Sequence, residues 1–234
     1  LRKQEKLSQK LAAQDPLLVE TLPAANPSKA GWARFLARTR FEMAQVFKSP
    51  AFFVLLLIGL FNACASLYFW RDIYGTPARP LTSSIIPILF GAFGIIPIII
   101  AIYYGGELVW RDRDRKIHEI IDSTSLPGWA YVVPKTIALV GVLFATLRVS
   151  VIGAVLIQLV MGHTDLAPGQ YFMWYLLPFT VDMVILAILA IFVQALSPNK
   201  YIGWGIMVIY LVASITLSSI GFDHPIYQYG DTPF

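Results

Sequence analysis

The chain has 234 residues, 57% of them hydrophobic and 14% charged, with a net charge of +4 and a mean hydropathy of +0.65; a soluble domain carries about a quarter charged residues. Several apolar runs reach the ~20 residues that cross ~30 Å of hydrocarbon, which excludes an ordinary soluble core and predicts an all-α, polytopic transmembrane bundle. The single cysteine, Cys64, excludes a disulfide framework or thiolate metal cluster within the chain, and the positive balance reads as membrane topology rather than affinity for nucleic acid.

In chain order, residues 1–31 mix charge, alanine, Pro23 and Pro27, and read as a short helix and cytoplasmic linker. The chain opens on Leu1 and a polar run rather than a signal peptide, so an origin inside a longer polypeptide is expected. Over 32–50, Trp32, Phe35, Leu36, Met43, Val46 and Phe47 recur at helical spacing while Arg34, Arg38, Arg40 and Lys48 fall mostly elsewhere. That pattern predicts an amphipathic helix lying in the headgroup plane, ended by Ser49-Pro50.

Five spans are predicted over 51–70, 84–104, 135–162, 172–195 and 201–220, a transmembrane domain of 51–220 followed by a tail at 221–234. Lys and Arg number nine in residues 1–50 and five in 105–135, against two in the loop 71–83 and none in 163–171 or 221–234. The N-terminus is therefore expected in the cytoplasm and the tail outside. Pro87, Pro97 and Pro178 fall within spans and read as static kinks.

The loop after the second span holds Glu107, Arg111, Asp112, Arg113, Asp114, Arg115, Lys116, Glu119 and Asp122, with Leu108, Val109, Ile117, Ile120 and Ile121 between them. Glu107/Arg111 and Asp112/Lys116 stand four apart, acid first, the order that supports a helix, here predicted over about 106–126. One reading is a solvated loop whose basic residues anchor topology. Acids contribute little to orientation, however, and a mixed-sign face suits docking on a complementary protein surface.

The stretch "GELVWRDRDRKIHEIIDSTSLPGWAYVVPK", preceded by one span and a basic amphipathic helix and followed by three spans, resembles the permease half of an ABC transporter of the ABC-2 type over about 32–220. The resemblance implies that 32–50 is the elbow helix and about 106–126 the coupling helix, which inserts into a groove of a separate ATP-binding subunit. Its contact residues would be Glu107, Trp110, Arg111, Asp112, Arg113, Asp114, Arg115, Lys116, His118 and Glu119. ATP and magnesium would then sit on the partner, a second permease half or second copy would complete the membrane domain among membrane lipids, and the setting would be a bacterial inner membrane. That family usually has six spans, so a final one is expected to be missing.

The same island, with "HPIYQYGDTPF" near the end, is similar to bacterial polypeptides that fuse ABC-2-like segments to an M1 family zinc aminopeptidase, which leaves open a membrane anchor for an enzyme domain lying elsewhere. Zinc would belong to that domain, because "HEIID" at 118–122 has Asp122 where a second histidine is required. No Gly-rich loop precedes Lys-Ser or Lys-Thr, so neither an ATPase nor another catalytic site is expected in the chain. A secondary transporter would call for an internal repeat and several charges at mid-depth, and the sequence displays neither.

Arg148 and Asp182 are the ionisable residues placed well inside spans, the tyrosines and Cys64 aside. At 1.5 Å per residue both fall in the outer half of the bilayer, which predicts an ion pair between neighbouring helices, with a substrate or proton path as the alternative.

Overall fold

The computed structural model describes residues 27–70, 81–116 and 128–220. Seven helices account for them: α1 (Pro27–Phe47), α2 (Pro50–Trp70), α3 (Thr82–Phe93), α4 (Ile95–Asp114), α5 (Gly128–Val160), α6 (Pro168–Leu196) and α7 (Lys200–Ser219). Two compact units divide inside α1. The first, Leu1–Ala37, contributes the opening of that helix, with Trp32 and Phe35 edge to face at 5.7 Å; the second is Arg38–Phe234.

Local chemistry explains where the helices start. Pro27, Pro50 and Pro168 each open one, where a fixed φ and a missing N–H are harmless. α7 follows Asn199, whose side-chain oxygen accepts the Ile202 N–H at 2.9 Å and so satisfies an otherwise orphan donor. α4 ends with Arg111 and Arg113 at the negative end of its dipole. Lys116 then takes φ 56°, and its N–H donates back to the Arg113 carbonyl at 3.0 Å.

The charged block is not a separate helix at its start. α3 and α4 form one pair bent by 40° at Gly94, and α4 continues through Gly105 and Gly106 to Asp114. Pro97 explains the bend, since it offers no N–H to the Phe93 carbonyl and its ring crowds that oxygen. The predicted boundary between a span ending at 104 and a helix from 106 therefore disappears, and the first half of the block caps a membrane helix. The second half, 117–127, lies outside the described residues, as do 1–26 and 221–234. α5 likewise starts at Gly128, before the expected 135, and runs through Pro134.

α6 contains a π-helical segment, Tyr171–Leu176, in which the Leu177 N–H reaches back to the Phe172 carbonyl just ahead of Pro178. Buried polar groups in this region are paired across helices: Tyr171 donates to Gln158 at 2.8 Å, and the Ser150 and Tyr175 hydroxyls lie 3.0 Å apart.

α4 is the central element, packed on α6, α5, α2, α3 and α7, while α7 leans on α4 and α6 alone among pairs with substantial contact. Leu89, Phe93, Ile100, Leu108, Leu139, Leu143 and Leu147 fill the interior. The outward faces are as apolar as the inward ones: Phe61 is 78% exposed, Val160 88% and Ile209 70%. In water such contiguous surfaces would associate, whereas lipid tails solvate them. α2, α5, α6 and α7 are long and apolar enough to cross a membrane, and the bent α3–α4 pair makes a fifth candidate. An all-helical chain with these spans fits a multi-pass membrane protein.

Candidate functional site

Glu42 is the single acid between Pro27 and Pro50, and the fold buries it. Thr39, Glu42 and Val46 share the face of α1 turned into the bundle, while Phe41 stays exposed. The polar side expected to face the headgroups thus points partly inward, because α4 and α5 present cations there. Gly141 of α5 allows the approach, since a methyl group in its place would overlap the tip of Met43.

Three helices contribute charge to one cluster. Glu42, 2% exposed, accepts a hydrogen bond from Arg111 of α4, and its other oxygen lies 3.9 Å from both Lys135 of α5 and Arg38 of α1. Lys135, 1% exposed, donates to Asp112 at 2.8 Å and to the Leu108 carbonyl. Asp112 also accepts from the Tyr131 hydroxyl at 2.8 Å and lies 3.6 Å from Arg38. The Tyr131 ring stacks under Arg38 at 5.0 Å and Lys135 at 4.4 Å. Three cations thus meet two carboxylates away from bulk water, where a charge is tolerated only while its partners remain.

The helices set this geometry by one-turn spacing. Arg38 and Glu42 are i and i+4 on α1, as are Tyr131 and Lys135 on α5, and consecutive Arg111 and Asp112 diverge to meet α1 and α5 respectively. A looser set lies beside it: Lys200, opening α7, reaches Asp114 at 2.9 Å and Glu107 at 3.6 Å. At that exposure each pair is worth under about 1 kcal/mol.

The ten residues expected to contact a partner therefore separate. Trp110 and Asp112 are buried; Glu107 and Arg111 are half-buried and engaged within the chain. Arg113, Asp114, Arg115 and Lys116 are exposed, with Arg113 over the Trp110 ring at 4.8 Å. His118 and Glu119 lie outside the described residues. Glu42, Arg38, Tyr131 and Lys135 were not anticipated as site residues, although a lone acid in a basic helix was a signal for the first.

Arg148 and Asp182 are not joined by any ion pair among the described residues. The buried stripe of α5 runs through Leu139, Val142, Leu143, Thr146, Leu147 and Ser150; at ~100° per residue Arg148 falls nearly opposite it. Its guanidinium lies over the Phe144 ring at 4.1 Å, and Asp182 is half-buried on α6. Depth alone suggested the pairing, but azimuth separates the two.

The arrangement offers no nucleophile beside a base, and among the described residues no three His, Cys, Asp or Glu side chains gather as a metal site requires. What it can do is mechanical: it clamps the end of α4 to α1 and α5. Comparison with protein-family models, with curated proteins and with solved structures finds no match in any of the three.

Proposed function

We propose that this chain is a transmembrane subunit of an ABC-2 type transporter in a bacterial inner membrane, moved by a separate ATP-binding protein that docks on its cytoplasmic side. One observation carries the reading: the mixed-sign end of α4 and the turn after it are exposed at Arg113, Asp114, Arg115 and Lys116, while the two preceding residues, Arg111 and Asp112, are clamped to α1 and α5. A push on the exposed tip would then move three helices together, because side chains held by buried ion pairs transmit displacement rather than absorb it. The amphipathic helix preceding the first span and the five candidate spans agree with the same architecture.

The test is co-purification. The complex isolated from native membranes is expected to hydrolyse ATP. Reversal of Arg113, Arg115 and Lys116 to Glu should reduce the retained ATPase by about tenfold or more, because opposed charges at a docking surface cost affinity directly. These side chains are exposed, so the thermal midpoint of the variant should match wild type. Undiminished ATPase in the variant, or none in the wild-type complex, counts against the transporter reading.

A further inference from the structure

Arg148 is exposed on the outer face of α5, and among the described residues no carboxylate stands within ion-pair distance of it. An arginine at this depth in a membrane helix is costly unless it meets a counter-charge or water. Beside it lies an apolar groove of about 340 Å³, formed where Phe144 faces Phe172, Leu177, Val181, Val184 and Ile185 of α6. Thr180 is the polar member of the lining, and its hydroxyl is already spent on the Leu176 carbonyl. Phe144 connects the two features, since the Arg148 guanidinium sits 4.1 Å over its ring.

The register of the helices places the charge at the groove rather than beyond it. Ser150 and Tyr175 meet at 3.0 Å and, further along α5 but further back along α6, Gln158 meets Tyr171 at 2.8 Å, so α5 and α6 run antiparallel, and the nearer Ser150–Tyr175 pair sets the local register. Arg148, two residues before Ser150, is therefore level with the turn just after Tyr175, where Leu176 and Leu177 line the groove. The π-helical turn at Tyr171–Leu176 shapes that end of it, the kind of local irregularity that membrane helices keep where they line a site.

We propose that this groove is a binding site for one anionic lipid of the surrounding bilayer, its acyl chain laid against Phe144, Val181, Val184 and Ile185 and its anionic head held by Arg148. Charge complementarity selects the head, because no carboxylate among the described residues neutralises the cation. The apolar lining selects the tail. The assignment requires only that the chain spans a membrane; it is independent of any ATP-binding partner.

Photo-crosslinking in vesicles tests it. The full chain is reconstituted in phosphatidylcholine vesicles containing equal traces of phosphatidylglycerol or phosphatidylcholine carrying a diazirine on one acyl chain, and adducts are mapped by peptide mass. Adducts from both lipids on the exposed face of α2 establish insertion, so a failure of the membrane premise is visible separately. On the peptide covering 172–185, phosphatidylglycerol adducts should exceed phosphatidylcholine adducts by about fivefold, the factor given by roughly one charge contact at a lipid surface. Arg148→Gln should bring the ratio to parity, Arg148→Lys should keep most of it, and Val184→Trp should reduce both adducts by filling the groove. Equal labelling by the two lipids in wild type, or a preference that survives Arg148→Gln, would overturn the lipid site.

Discussion

Replacing Asp112 with Asn is expected to lower the stability of the protein by about 3–5 kcal/mol, because it removes one partner of a buried charge and strands the other. The stranded group is Lys135, which is 1% exposed and has the Asp112 carboxylate at 2.8 Å. Asn retains the shape and can still accept from Tyr131, so the loss reports charge rather than packing. Lys135 would be left with the Leu108 carbonyl and the more distant Glu42. The paired variant Asp112→Asn with Lys135→Met should recover much of the loss, since an apolar side chain no longer demands a counter-ion. Unfolding midpoints in mild detergent, read for both single variants and the pair, check this. Strictly additive losses would mean that the two side chains act independently and that the clamp on α4 is not an electrostatic unit.

Substituting Gly106 with Ala is expected to destabilise the bundle by up to about 2 kcal/mol. Two effects oppose each other here. Within a helix Ala is better than Gly by about 1 kcal/mol, but forcing a methyl into a filled contact costs about 1–3 kcal/mol. At Gly106 the added carbon would overlap the Trp204 indole nitrogen and come within 2.9 Å of the Gln194 amide nitrogen. Trp204 has little freedom to yield, stacked on Tyr103 at 5.4 Å and edge-on to Tyr201 at 5.7 Å. The crowding term therefore exceeds the propensity gain. Gln194 provides the contrast: wholly buried, it has no hydrogen-bond partner for either amide atom among the described residues. Gln194→Met keeps its length and removes two polar atoms from an apolar site, so the midpoint should hold or rise. A fall on Gln194→Met comparable to that of Gly106→Ala would show that the amide is satisfied in the membrane.

The shared logic of these two sites explains how much was legible beforehand. The count of apolar helices and their approximate limits followed from run length, since ~20 apolar residues have few stable places other than a bilayer. The five predicted spans correspond to α2, the bent α3–α4 pair, α5, α6 and α7. Pro50 opens α2 as expected, whereas α6 opens at Pro168, ahead of the expected 172, and α5 runs through Pro134 despite the lost N–H. A charge block following a membrane run looked like a boundary, yet α4 carries its helix through Gly105 and Gly106 into that block. Arg111 and Asp112 find partners there on α1 and α5, so charge need not end the segment.

Axial position is what a membrane sequence determines by itself: 1.5 Å per residue and a fixed hydrocarbon thickness locate a side chain along the bilayer normal. That sufficed to place the spans and to put Arg148 and Asp182 at similar depth. Which way each side chain points was decided only by tertiary packing, because lipid-facing and protein-facing positions are equally apolar in this chain and leave no periodic signal to read. Arg148 thus turned outward onto Phe144, while Glu42, the lone acid of α1, and Lys135, counted only for topology, turned inward and met.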